Sequence, residues 1–513
     1  MSKPNAISAP NLIHRALALI SPLKAAVRGN GFTKLAFKLL FVTAVFISDP
    51  FHAVSGAARV SEDTANRVLA YVYPSSQNPT PSKLVRDDIL VVLLSDADAE
   101  YANPAGGYPV PLQTHGEVLR TILCAEPAAV FVDMNFRWER QEGDAAALAD
   151  AVSHRRRGAE CVKVASASTE ARNAPVLVAY VPSHTSDCEP MAPASVSKCD
   201  HREAFATLRS VVRVAAMPGT DDTRRYILHD REASAAVPGS SSPSLDLYRH
   251  VCRRFPGFAP GCADVASVER LAAEPTARLA MRWGFYTAPA APGAEASASA
   301  CPERQLQTPS ATAAILTAIG QLARDVVPFP AFGARKPELG EAGWCPYHNT
   351  IGYRTLSQLA ARDPARLSSY VKDKVVIYGA DITAVNDNVV SPVLGLLPAA
   401  HQHAMALDNL LTFGSHYWRD PAEFLGINLA SWVSYVLTLF ALLVGWRIDI
   451  AQRGKLAGTA FFMALTYLTL AALAAVGFSY FLSSVLSWAP INWTGVFGIL
   501  VATNLDLLIV GDK

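Results

Sequence analysis

Three apolar runs close this chain, Phe424 to Trp446, Leu456 to Leu482 and Ile491 to Val510, and each reaches the ~20 residues that an α-helix needs to cross a bilayer. No other feature constrains the fold as strongly, because in hydrocarbon only a helix or a closed barrel satisfies its own backbone polar groups. Trp432, Trp446, Trp488 and Trp493 stand near the ends of the runs, where indole rings favour the headgroup level. Three buried core helices are the alternative. A fourth run, Leu35 to Ile47, is shorter, holds Lys38 and precedes Asp49-Pro50; it spans only if extended towards Ala57. It reads as a retained signal anchor, against a cleaved signal peptide with Ser55-Gly56-Ala57 as the cleavage site.

Residues 1–34 contain Lys3, Arg15, Lys24, Arg28 and Lys34 and no acidic residue, which suits the cytoplasmic face of a membrane. Leu12, Ile13, Leu17, Ile20, Leu23 and Val27 alternate with the basic residues at helical spacing, consistent with a basic helix on the inner leaflet or with a frayed tail. Arg447, Arg453 and Lys455 crowd the loop between the second and third runs, whereas Ser483 to Pro490 is uncharged. The positive-inside rule therefore places the N-terminus and that loop in the cytoplasm. The expected organisation is a basic N-terminus (1–34), an anchor (35–57), an outer domain (58–422), three transmembrane helices (423–510) and a short cytoplasmic tail (511–513). This describes a bacterial inner-membrane protein with its large domain in the periplasm.

Eight cysteines, Cys124, Cys161, Cys188, Cys199, Cys252, Cys262, Cys301 and Cys345, all fall in the expected outer segment. An even number in one compartment points to disulfides in an oxidising space. Short loops favour Cys188 with Cys199 and Cys252 with Cys262, and then Cys301 with Cys345. Metal ligation needs CxxC-like or His-x-x-x-His spacing, which the chain lacks, so no metal site is expected.

Within the outer segment, near-continuous apolar runs alternate with helical patterns. Ile89 to Leu94, Ala129 to Asp133, Val176 to Val181 and Lys374 to Gly379 read as buried strands; His115 to Cys124, Asp144 to Val152, Leu245 to Cys252 and His401 to Leu411 read as helices. Val211 to Ala216 and Tyr226 to His229 are further strand candidates. Such alternation predicts an α/β fold, a mostly parallel sheet with helices on both faces, beside about four transmembrane helices, one N-terminal and three C-terminal. Pro182 to Lys198 and Thr287 to Ser310 are rich in Ala, Pro and Ser and read as surface loops.

The order of short motifs adds to this. A strand ends in Ser95-Asp96, followed by Tyr108-Pro109-Val110-Pro111 and His115; a second strand ends at Asp133 and the next helix opens with Asp144. Thr223-Arg224-Arg225-Tyr226, Pro243-Ser244-Leu245, Asp387, Ser391-Pro392, Pro398 and His403-Ala404 follow, and then the apolar runs. The chain thus resembles the second class of CHASE domains, the cyclase- and histidine-kinase-associated sensory extracellular domains, over roughly residues 35–510. The resemblance implies one N-terminal span, an outer α/β sensory domain and three C-terminal spans. Family members commonly continue into a kinase or cyclase; here three residues follow the last run, so no output domain is expected.

Asp96 and Asp133 follow the carboxyl ends of two expected parallel strands and Asp387 follows a third, the edge where open α/β sheets bind ligands. Three carboxylates there are candidate ligand-binding groups; alternatively Asp96 and Asp133 cap helices or bind loop amides. Arg224 and Arg225 are candidates for holding a carboxylate-bearing ligand, or sit in a surface turn paired with Asp221 or Asp222. His401 and His403 lie two apart on a helix and point apart. No Gly-x-Ser-x-Gly elbow, triad spacing or phosphate loop occurs, so neither catalytic residues nor a cofactor are expected. A chain of 513 residues with net charge +1 and 17% charged residues offers no electrostatic basis for nucleic-acid binding. The partners expected are the lipid bilayer, a membrane or cytoplasmic signalling protein, and a small-molecule ligand. A structural scaffold of an envelope complex is the alternative function, and a carboxylate- or metal-dependent periplasmic hydrolase a third.

Overall fold

In the computed structural model the described residues lie between 31 and 496, apart from 74–84, 137–143, 164–174, 181–212, 217–223, 230–240, 288–343 and several shorter stretches. Two compact units make up the chain: Asn66–Arg419, and Met1–Ala65 together with Asp420–Lys513.

The centre of the larger unit is a sheet of six strands: β1 (Ile89–Ser95), β2 (Ala129–Asp133), β3 (Val176–Tyr180), β4 (Arg213–Ala216), β5 (Asn349–Gly352) and β6 (Val375–Asp381). Their spatial order is β5-β1-β6-β2-β3-β4, and every pairing is parallel. Ile89, Leu90, Val91 and Val92 are all fully buried, which explains why the strand reads as an unbroken apolar run: both of its faces are covered. On one face, Leu90, Val92, Val130, Val132 and Val376 pack with helices α1 (Leu112–Cys124), α2 (Asp144–Val152), α4 (Tyr353–Arg362) and α5 (Pro364–Val371). On the other, Ile89, Val91, Phe131, Leu177 and Ile377 pack with α3 (Pro243–Arg254) and α6 (Ala399–Phe413).

The β-rich stretch around Tyr226 stays out of the main sheet. Arg225–Ile227 pairs antiparallel with Arg278–Ala280 instead. Conversely, Asn349–Gly352, which is too short and polar to stand out as a buried strand, forms the sheet's edge beside β1.

Helix α6 is unlike an ordinary amphipathic helix. Of its 15 residues, 14 are buried, among them His401, Gln402, His403, Asp408 and Asn409. Buried polar side chains persist only with partners, and α6 supplies them on two sides. The carboxylate of Asp408 accepts from Tyr73 and from Thr412 (3.2 Å) and faces His348 Nε2 at 3.3 Å. Asn409 bridges the backbone of Arg282 with bonds of 3.0 and 2.9 Å and donates to Met405 O. Burial, and then the nearby His348, push the His401 imidazole down to about 3, so it stays neutral. The second side carries His403.

Cys252 of α3 is bonded to Cys262, the ten-residue spacing singled out from the sequence, and Cys124 at the end of α1 is bonded to Cys161. The latter pairing spans 37 residues and has no signature in local spacing. Cys345 is also disulfide-bonded, while Cys188, Cys199 and Cys301 lie outside the described residues.

The smaller unit contains helices Gly31–Ser48, Leu429–Gln452 and Ala457–Val485. Phe46 stacks on Tyr435 at 4.6 Å, and Thr43 Oγ1 lies 2.8 Å from Tyr435 Oη. Among the described residues one helical segment, Leu429–Arg447, is long and apolar enough to cross a membrane; 22% of it is buried, and Leu35–Phe46 and Thr469–Val485 are shorter apolar stretches. Of the N-terminal run, Gly31–Ser48 is helical, residues 49–52 lie outside the described residues, and Ala53–Ala70 is a helix that carries Arg59, Glu62, Asp63 and Arg67. Most of the run from Ile491 to Val510, and the basic residues 1–30, lie outside the described residues.

Candidate functional site

The parallel register decides which side chains meet at the carboxyl edge. Gly379 of β6 lies beside Asp133, the last residue of β2, and Asp133 shares a face with Phe131 and therefore looks towards α6. A Cβ on Gly379 would come within 2.6 Å of Ala400 Cβ. The missing side chain thus lets the first turn of α6 lie directly over the strand ends, and His403 comes down one turn later onto Asp133. Its Nε2 is 3.4 Å from Asp133 Oδ1, and its ring packs edge-on against Phe131.

The other ring nitrogen of His403, Nδ1, is 2.7 Å from the hydroxyl of Tyr226. That oxygen in turn meets Ser244 Oγ at 3.0 Å, and the Ser244 hydroxyl also reaches His403 O at 2.9 Å. Asp133, Tyr226, Ser244 and His403 are each at most 4% exposed. Burial drives the Tyr226 phenol well above its ordinary range, so it stays protonated. Among the described residues, Asp133 Oδ2 is buried without a hydrogen-bond partner. Asp387 lies half-buried in the loop beyond β6, where its backbone oxygen accepts from Ala399 N at the start of α6. Burial, with Asp133 close by and His403 opposing, pushes its carboxyl up to about 6.

Asp96 occupies a different part of the edge. It is exposed, and its Oδ2 accepts from Thr383 N at 3.2 Å and Thr383 Oγ1 at 2.7 Å, so it ties the loop after β6 to the end of β1. The neighbouring Asp98 closes a capping box with Ser95 and also accepts from Arg354 N at 3.1 Å, holding the ends of β1 and β5 together. Arg224 and Arg225 are half-buried, Arg224 in the turn before the Arg225–Ile227 hairpin strand and Arg225 as its first residue. It is the residue between them and the helix, Tyr226, that reaches His403. Thus Asp133 and Asp387 converge, Asp96 stands apart beside Asp381, and the two arginines immediately precede Tyr226 in the chain.

His403, Tyr226 and Ser244 were not among the residues singled out for chemistry. The available signal was the polar content of α6: a helix with six polar side chains, none exposed, must place each against a partner. A cavity of about 440 Å³ lies elsewhere, lined by Arg120, Cys124, His154, Cys161 and Ser368 among others; it includes no residue of the cluster. Among the described residues, no group of three or more His, Cys, Asp or Glu is arranged to hold a metal ion.

The residues brought together here come from five separate segments of the chain. The CHASE2 domain family model matches residues 60–446. This chain belongs to the CHASE2 domain family. No curated protein and no solved structure matches it. CHASE2 domains are extracellular sensory domains, and in this one Asp133, Tyr226, Ser244, Asp387 and His403 gather at the carboxyl ends of β2 and β6, the edge at which open α/β sheets bind ligands.

The raised Asp387 carboxyl makes the CHASE2 domain's stability depend on pH in a defined direction. A carboxyl whose folded value lies above its ordinary 3.8 binds its proton more tightly when folded, so its stabilising contribution is present at low pH and is lost as pH rises to about 6. Asp387→Asn should remove that decline and raise stability at neutral pH by on the order of 1 kcal/mol, the half-exposed position screening the effect. Thermal midpoints of both proteins across that pH interval test this; parallel curves would contradict it.

Proposed function

We propose that this protein is a membrane-anchored extracytoplasmic sensor that passes its signal to a separate membrane or cytoplasmic signalling protein, with the carboxyl edge of the sheet as its ligand site. The observation that carries the reading is the buried Asp133 carboxylate, one oxygen on His403 and the other without a donor, at the sheet position suited to ligands in a family of sensory domains. A buried acceptor left without a partner is costly, and a ligand that supplies a donor relieves that cost. Such a ligand would favour one of two arrangements of α6 and its neighbours, which is how binding becomes a signal.

Anchoring rests on the segment Leu429–Arg447 and its exposed apolar side chains. Val436, Phe440 and Leu443 are 58%, 65% and 43% exposed, a surface suited to lipid. Four spans, an inner-membrane location and a periplasmic sensory domain extending over residues 58–422 complete the proposal. Affinity isolation of the full-length protein from its native membrane tests it. Recovery of a stoichiometric kinase or cyclase is the expected result. Recovery of a set of envelope assembly proteins in its place, destabilised when this protein is deleted, would instead establish a scaffold.

A further inference from the structure

The hydrogen-bonding groups of the Asp133 cluster are unevenly supplied. Ser244 Oγ is 2.9 Å from His403 O, and when its single proton is used there, the Tyr226 hydroxyl proton is available to His403 Nδ1 at 2.7 Å. The remaining imidazole proton then sits on Nε2 and points at Asp133 Oδ1, 3.4 Å away. This arrangement uses each proton of the Ser244, Tyr226 and His403 chain once and brings none of them to Asp133 Oδ2. Among the described residues one carboxylate oxygen, Oδ2, is then a buried acceptor without a donor, and a second carboxyl, Asp387, stands half-buried within electrostatic reach of it. One neighbouring hydroxyl, Ser242 Oγ on the Tyr226 side, is also buried without a partner among the described residues, so at Asp133 and Asp387 the acceptors outnumber the donors left to meet them.

We propose that this site takes a ligand carrying a primary or secondary ammonium group, whose N–H donors pair with Asp133 Oδ2 and with the Asp387 carboxylate. The inference rests on the reading of this edge as the sensor's ligand site and names the chemical class it accepts. A charge-assisted N–H to carboxylate bond in a buried setting is stronger than a neutral one, so the ammonium group supplies both the missing donor and the missing charge. A divalent cation fits less well: it wants six or more oxygens, and among the described residues no three candidate side chains converge in that way. An anion would meet two carboxylates. Because burial, and then Asp133 against the opposing His403, push the Asp387 carboxyl up to about 6, ammonium binding weakens as pH falls through that value.

Calorimetric titration of the purified full-length protein with methylammonium chloride tests the proposal, with tetramethylammonium, which has no N–H, sodium acetate and calcium chloride as parallel titrants. Methylammonium should bind in preference to the other three, and Asp133→Asn should weaken it by at least about tenfold. Asp387→Asn, at the less buried position, provides a second variant; it should weaken binding and abolish the pH dependence. Equal binding of methylammonium and tetramethylammonium, preference for calcium or acetate, unchanged affinity in both variants, or no methylammonium binding would each overturn the ammonium assignment. None of these outcomes bears on whether a kinase or cyclase is co-isolated, so the ligand class and the sensory role fail separately.

Discussion

Replacing Asp408 by Ala should destabilise the larger unit by about 3–5 kcal/mol, the range for removing one partner of a buried charged network. Asp408 is fully buried on α6, with Tyr73 and Thr412 on one oxygen and His348 on the other. Truncation leaves the Tyr73 hydroxyl and His348 Nε2 buried without their acceptor. The Tyr73 phenol is held well above its ordinary range by burial first and then by Asp408, so it cannot compensate by ionising. Asp408→Asn keeps the shape and one acceptor and should lose less. Chemical denaturation of the three proteins followed by intrinsic fluorescence gives the comparison, and a loss for Asp408→Ala below about 1 kcal/mol, the value of an ordinary hydrogen bond, would contradict this account of α6.

The second large effect is expected at Gly261. A Cβ there would lie 2.3 Å from Leu410 O, 2.7 Å from Leu411 O and 2.8 Å from Gly414 N. All three are backbone atoms, so no side chain can swing aside. Gly261 is also fixed from its own side: its carbonyl accepts from Tyr248 Oη at 2.6 Å, and the next residue, Cys262, is bonded to Cys252. Gly261→Ala should therefore push the 260–264 turn off the C-terminal end of α6, at a loss of about 3 kcal/mol or more, the upper end for overpacking. A thermal midpoint equal to that of the unaltered protein would show that the turn and the helix end can separate freely.

Much of the α/β architecture was legible because buried parallel strands advertise themselves. Ala129 to Asp133 and Asp144 to Val152 are found with the bounds read from the sequence, and the strands at 89, 176 and 375 differ by a residue or two. What escaped is what depends on long-range pairing. The edge strand Asn349–Gly352 is half-buried throughout and has no apolar run to mark it; the Cys124 to Cys161 bond joins segments whose proximity only the fold creates. The carboxyl edge was legible as a place, since strand ends can be read, and Asp133 and Asp387 were legible as residues. His403 was passed over because its spacing from His401 argued against a shared metal, a correct statement about two histidines that says nothing of what either meets across the sheet. Gly379 was read only as the end of a strand, yet its lack of a side chain lets His403 reach Asp133.

The central claim is that the state of Asp133 sets the signal. It is tested most directly by restoring a deletion strain with either the unaltered protein or Asp133→Asn, matched for membrane level, and comparing genome-wide transcript profiles. A sensor whose ligand site contains Asp133 predicts that Asp133→Asn reproduces the profile of the deletion while the protein remains in the membrane at full level. A profile indistinguishable from that of the unaltered protein would contradict it.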